Sequence, residues 1–339
     1  MVNGIKSLRK IQIGQEAALG GSTDIASTVW RGTGVLQDNR ETTFPSEDIG
    51  LLGGTTRSYV ARSGGEITLE GDATFEQLPY ILNAGIYETT PTTDTDPGSG
   101  YIYPYTVQLT STDAIASTDL QTLVIEGGDN NEVEIMRAGF VREFSLTGSA
   151  GEALQVSATV QGREIAGGQS YTAGLSIPTV ETILFSKGKL YIDNTTGTIG
   201  STLVSNTLLN AEFNMTTGWA GVVTADGRID FSFIKRVADE ITMQLTYEHN
   251  GTATTEKAAW RNQTERAVRL LFQGTALSSA GAYTYKTLII DCYGKYESFD
   301  SLGEQDGNDT VSAAFRVAYS ATAGAKCAVT VVNELPALP

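Results

Sequence analysis

Glu66-Ile67-Thr68-Leu69-Glu70-Gly71-Asp72-Ala73-Thr74-Phe75 alternates residue by residue. About 174 positions later Glu240-Ile241-Thr242-Met243 opens a run of the same kind. In the first run Ile67, Leu69, Gly71, Ala73 and Phe75 share one face, and Thr68, Glu70, Asp72 and Thr74 the other. That is the period of a strand with one buried and one wet face. Thr74 stands three residues before Gln77, a capping-box spacing. Leu78, Ile81 and Leu82 then recur at helical spacing, Pro79 suits a first turn, and Asn83-Ala84-Gly85 is a stop signal. The spacing predicts a strand followed by a short helix. In the second half residues 241–247 alternate likewise, and residues 255–262 read as the matching helix. Residues 208–215 put Asn210, Glu212 and Asn214 on one face, with Leu209, Ala211, Phe213 and Met215 on the other. Residues 152–160 and 309–317 close the two units at matching places.

Further strand-like runs lie at residues 10–14, 34–44, 103–109, 120–126, 133–137, 140–146 and 154–161. In the second half they lie at 189–193, 268–273, 283–293, 311–319 and 328–332. Residues 1–30 read as an extended arm. Residues 45–65 and 218–239 lack periodicity and read as long loops, which in compact domains are functional or disordered. The expected organisation is a mainly β chain with two tandem β-sandwich or barrel domains, each with a short flanking helix. The boundaries are 1–166 with the N-terminal arm, a linker at 167–186, and 187–339 with a C-terminal arm.

The 339 residues suffice for two domains with real cores. The formal net charge is −16, and the first 170 residues carry 22 acids against 10 bases. No basic patch is visible, which argues against tight binding to a phosphate backbone. No apolar leader or membrane-length apolar run is read, so synthesis in a cytoplasm is expected. Cys292 and Cys327 are expected as buried thiols in strands, not as a disulfide framework or a metal pair.

Chemistry is sparse. His249 is the single histidine, in the turn-like Tyr247-Glu248-His249-Asn250-Gly251, and reads as a surface residue. No nucleophile elbow, phosphate-binding glycine loop or Cys-x-x-Cys occurs. Asp94-Thr95-Asp96 resembles the start of a calcium loop, but Pro97 breaks it, and a solvated loop is expected. Tyr101, Tyr103 and Tyr105 read as an ordinary β face in preference to a sugar-stacking strip. No catalytic residue, metal site or cofactor is assigned.

Four stretches carry a resemblance. They are residues 70–82 (EGDATFEQLPYIL), residues 148–163 (GSAGEALQVSATVQGR), Pro178-Thr179-Val180-Glu181 with Ile183-Leu184-Phe185 and residues 189–193 (KLYID), and Thr224-Ala225-Asp226-Gly227. Together they resemble the major tail tube proteins of long, flexible-tailed bacteriophages, in the form with two tube domains per chain. The resemblance implies rings that stack into a hollow tube, with inner sheets joined around a lumen that passes DNA without specific binding. It implies a virion location and, as partners, further copies of the chain with tape-measure, distal-tail and tail-terminator proteins. Single-domain members form six-fold rings, so three two-domain chains are expected per ring. An acidic lumen would repel DNA; Glu70, Asp72, Glu212, Gln244 and Glu248 are the candidates for its lining, the alternative being an outer solvent face. Ring-to-ring contacts are expected from Ile49, Leu51, Leu52 and Tyr59 in the first loop and Trp219, Val222, Phe231 and Phe233 in the second, the alternative being packing on their own domains. The competing function is a two-domain β-sandwich adhesin or carbohydrate-binding module.

Overall fold

The computed structural model describes residues 4–94, 98–107 and 120–339. Strand makes up 48% of the chain and helix 8%, so the fold is mainly β with large antiparallel sheets. The first half carries β1 (Lys10–Gln15), β2 (Thr28–Val29), β3 (Gln37–Asp38), β4 (Glu41–Thr43), β5 (Tyr59–Arg62) and β6 (Gly65–Asp72). It continues with α1 (Leu78–Gly85), β7 (Thr92–Thr93), β8 (Tyr101–Thr106), β9 (Leu123–Gly128), β10 (Val133–Ser149), β11 (Gln155–Gly162) and β12 (Ile165–Ala166). The second half carries β13 (Gly188–Asn194), β14 (Leu203–Val204), β15 (Leu208–Thr216), β16 (Trp219–Val222), β17 (Phe233–Arg236) and β18 (Glu240–Glu248). After it come α2 (Gly251–Arg261), β19 (Arg266–Ala276), β20 (Tyr285–Phe299), β21 (Gly303–Gln305), β22 (Asn308–Val317) and β23 (Cys327–Asn333).

The two halves repeat one pairing scheme. In the first, β1 pairs β2 and β9; β9 pairs β10; β10 pairs β11 and β12; β11 pairs β6; β6 pairs β3. In the second, β13 pairs β14 and β19; β19 pairs β20; β20 pairs β22 and β23; β22 pairs β18; β18 pairs β15. Each half also inserts a separate hairpin, β4–β5 or β16–β17, before its alternating strand. The long strands β10 and β20 each change partner along their length, β10 at a bend. In β10 the bend falls at Ala138, whose φ of 54° no extended strand adopts. Sequence read two strands there because the bend interrupts the alternation.

The wet-and-dry alternation of β6 is realised. Ile67 and Leu69 are buried, as are Val156, Ala158 and Val160 beside them on β11. Phe213, Met243 and Phe315 continue that apolar face in the second half. All of these belong to one large core cluster that also takes in α1 and the apolar faces of β1, β9, β13 and β19. Before α1, Thr74 Oγ1 accepts from Gln77 N at 3.2 Å. The reciprocal half of the capping box is not made, because the Gln77 amide instead donates to Val29 O and accepts from Arg31 N. Helix α2 starts earlier than its spacing indicated. The Asn250 side chain caps it by accepting from Thr252 N and Ala253 N.

Several expectations need correction. The strand expected at residues 10–14 is present as β1, but it is not part of an extended arm: it lies between β2 and β9, with Ile13 fully buried. Residues 218–239 are not a loop but largely the β16–β17 hairpin, and β5 lies within residues 45–65. The run at 34–44 is two short strands, β3 and β4. Asp94 is not solvated; it is buried and accepts from Ala282 N at 2.8 Å and Tyr283 N at 3.0 Å. Residues 95–97 of the calcium-like stretch, and 108–109 of one strand-like run, lie outside the described residues. As expected of an ordinary β face, Tyr103 and Tyr105 are buried, their hydroxyls donating to Leu335 O and Asn83 Oδ1. Cys292 and Cys327 are free, buried and opposite one another on β20 and β23, with sulfurs 3.6 Å apart.

Candidate functional site

A single antiparallel sheet runs through both halves. Its order is β6, β11, β10, β15, β18, β22 and the C-terminal part of β20. Within this sheet the halves join at the β10–β15 seam, where Glu143 faces Thr216, Ser145 faces Asn214 and Thr147 faces Glu212; elsewhere β8 of the first half pairs β23 of the second. Beyond β6 the segment at residues 33–38 continues the sheet, through the Thr33–Glu70 bridge and the β3 pairs. Among the described residues the pairings branch at β10 and β20 and never return to their starting strand. The sheet therefore keeps two free edges.

Register places the lining candidates on one face. One row reads Glu70, Ser157, Ser145, Asn214, Thr242, Arg316 across the strands. The next reads Asp72, Gln155, Thr147, Glu212, Gln244, Ala314. Glu248 lies farther along the same face of β18, opposite Thr310. Period-2 alternation turns all of these away from the buried core. Glu70, Asp72 and Gln244 are exposed, and Glu212 and Glu248 are half-buried. Local hydrogen bonds order the face: Gln155 Nε2 donates to Asp72 Oδ1 at 2.7 Å and Asn214 Nδ2 to Glu212 Oε1 at 2.8 Å. Thr246 and Ser312 hydroxyls meet at 2.9 Å. Glu143 of β10 and Glu240 of β18 add charge to this face, both opposite Thr216; Glu143 joins the row only through the β10–β15 pairing, and Glu240 stands just outside the alternating residues 241–247. Arg316 stands out as a cation on this face and is tied to Glu240 at 2.8 Å.

The stacking candidates separate into two groups. Ile49, Leu51, Leu52 and Tyr59 are all exposed, as is Phe44 beside them. Their segment is held by its own bonds, Glu47 N to Gly54 O and Arg57 Nε to Glu47 Oε1 at 2.6 Å, and among the described residues its hairpin pairs with no other strand. In the second hairpin Trp219 and Phe231 are buried, Val222 is half-buried and Phe233 is exposed. Trp219, Phe231 and Ile234 form a separate cluster with Leu120, Ala138 and Phe140 of the first half. The Trp219 indole donates to Gly85 O at the end of α1 at 3.0 Å, and Phe231 meets Phe140 edge-on at 5.6 Å. Trp219 and Phe231 therefore seal the two halves together and are not free for a neighbouring ring. Sequence reading missed this because an aromatic in an aperiodic stretch carries no sign of what covers it.

Residues 167–186 are strapped across the first half. Tyr171 Oη donates to Lys10 O at 2.6 Å, Thr172 N and Oγ1 both donate to the Glu126 carboxylate, and Ile183 and Phe185 are buried. His249 is exposed beside the α2 cap. Among the described residues no group of three or more His, Cys, Asp or Glu side chains is placed to hold a metal ion, and no helix is long and apolar enough to cross a membrane. The chain matches no protein-family model and no curated protein sequence.

Proposed function

We propose that this chain is a structural subunit that polymerises with itself into rings, and that the rings stack into the hollow tail tube of a phage virion. DNA leaves through the tube without being held. The observation that carries this reading is the β10–β15 seam. One repeat already adds to the other edge to edge, and the same two edges stand open at the ends of the sheet. An exposed sheet edge is a template for further pairing. Closure into a ring removes it.

Geometry supports a ring of several chains. Each chain offers eight strand positions to the common sheet, counting residues 33–38 and the end of β20. Eight strands closed alone would have a filled interior, taking Glu70, Asp72 and Glu212 out of water at high cost. Three chains supply about 24 strands; at ~4.8 Å spacing and ~40° tilt the barrel diameter is about 48 Å. Side chains still leave an opening wide enough for duplex DNA. The acidic, hydroxyl- and amide-rich face is then the lumen, and tape-measure, distal-tail and tail-terminator proteins are the partners. No enzymatic step is assigned to the chain.

Negative-stain microscopy and native mass measurement of the purified protein at rising concentration test the reading. Rings and tubes with three chains per ring are expected. A monodisperse subunit that never assembles would favour the adhesin or carbohydrate-binding alternative, and six full chains per ring would remove the three-chain ring. A second test addresses stacking. Deleting residues 51–57 removes Leu51 and Leu52 from the exposed tip and is expected to leave folded rings that no longer form tubes. Tubes of normal length from that deletion would remove the tip from the stacking contact.

A further inference from the structure

The two free edges are counterparts of the two strands joined inside the chain. Glu212 of β15 pairs Gln244, and Thr33 pairs Glu70 at the corresponding place on β6. Phe144 of β10 faces Ala158, and Tyr296 of β20 faces Phe315 at the corresponding place on β22. Segment 33–37 is thus the first half's β15, and the end of β20 is the second half's β10. The Thr33 N–H and C=O both bond to Glu70, so the alternate residues Gly34 and Leu36 turn their backbone groups outward.

Resting on the ring reading above, we propose that the end of β20 in one copy pairs antiparallel with residues 33–37 of the next in a defined register. Lys295 lies opposite Gln37, Tyr296 opposite Leu36, Ser298 opposite Val35 and Phe299 opposite Gly34, with Glu297 bulged out. The register is that of the internal seam, in which Glu143, Phe144, Ser145 and Leu146 face Thr216, Met215, Asn214 and Phe213. The bulge is already present between Tyr296 and Ser298 on the β22 side.

The surroundings of both edges fit a second copy. Val35 is 61% exposed at the edge, and a groove of about 1000 Å³ runs beside it along β6. Exposed Leu8 and Ile177 line that groove, as does Trp30, whose buried indole N–H has no hydrogen-bond partner among the described residues. Gly32 lets the edge segment sit close on β6: an added Cβ would lie 2.0 Å from Glu70 O. In the groove wall the bases Lys6, Arg9, Lys10 and Arg31 outnumber the acids Glu66 and Glu70. On the opposite edge exposed Glu297, Asp300 and Glu304 outnumber the base Lys295. Opposite charges on the two edges favour head-to-tail pairing over pairing of like edges.

The hairpins and helices show the same asymmetry. Every residue of α1 is buried, with the second half's Trp219 bonded to its end, whereas α2 buries only Ala253, Glu256 and Ala259. What the second half provides for the first within a chain, the first half of the next copy is left to provide for the second.

Cysteine pairing tests the register. Val35→Cys with Ser298→Cys, oxidised mildly after assembly, is expected to give a ladder ending at a covalent ring, with the joined peptides found by mass spectrometry. Opposed residues bring their Cβ atoms within disulfide reach. Val35→Cys with Lys295→Cys is two residues out of register and is expected to give at least tenfold less product. Each single variant should give no ladder, since Cys292 and Cys327 are buried. If rings form but neither pair links, or the shifted pair links better, the register is overturned while the ring reading stands. If the unmodified chain forms no rings, both fall together.

Discussion

Lysine at both positions 70 and 72 is expected to leave rings and tubes intact and to convert a passive channel into one that holds DNA. Glu70 and Asp72 are exposed on the polar face and make no contact with the core, so their replacement leaves packing untouched. Asp72 loses its hydrogen bond from Gln155. The two changes take the formal net charge of each chain from −16 to −12. They are repeated around every ring and along every ring of the tube. Duplex DNA carries one charge per ~1.7 Å, so cations spaced along a lumen bind it at many points. Particles built with the variant are expected to eject DNA slowly or not at all. Ejection should recover as salt rises from 50 to 200 mM, a range over which 6–10 phosphate contacts lose about 10³–10⁵ in affinity. The matching double change to Gln and Asn should eject normally. Normal ejection from the lysine variant at low salt would place this face on the outside of the tube.

Trp219→Ala is expected to have the largest effect on the subunit itself. The side chain is buried between the halves, and its indole bonds Gly85 O. Removing a buried Trp costs about 3–5 kcal/mol. That compares with about 5–15 kcal/mol for the total stability of a domain. The loss falls on the seam, because Phe231, Ile234 and Phe140 lose the ring they pack around. Beyond a lower melting temperature, proteolysis should appear within residues 223–232, where the hairpin no longer seats on the first half. Phe233→Ala is the contrast: the residue is 43% exposed on the same hairpin and should change stability little. Equal destabilisation by the two changes would mean that Trp219 does not hold the halves together.

The alternating stretches were legible because their signal is local. Ile67 and Leu69 against Thr68 and Glu70 need only the period of a strand to be assigned a face, and the structure buries them accordingly. The helices were legible from Leu78, Ile81 and Leu82 and from Ala258 and Ala259 by the same reasoning, with an error at the start of α2. There the Asn250 cap, not the apolar period, sets the boundary. The duplication was visible as two weakly matching runs. The repeated pairing scheme gives it physical content: apart from the β10–β15 and β8–β23 seams between the halves, most strands of the first half find the same neighbours as their counterparts.

Partner choice was not legible. Trp219 and Phe231 read as exposed anchors because the sequence around them has no period. What covers them, Phe140 and Ala138, lies some 80 residues away. Likewise residues 10–14 read as a strand of an extended arm, because nothing in Lys10–Gln15 announces β9, more than 100 residues later, as its neighbour. Apart from inserted strands such as β5, β16 and β17, the residues alone were enough for the main strands, for the wet face of the alternating ones, and for one unit occurring twice. These follow from side-chain period and turn chemistry within a few residues. Only tertiary structure decided that both units share one sheet, that the acids of β6 and β15 fall on one side of it, and that one aromatic hairpin is sealed while the other stands open. Those outcomes depend on long-range backbone hydrogen bonds, which any strand can offer to any other, and on burial, which only the assembled neighbours confer.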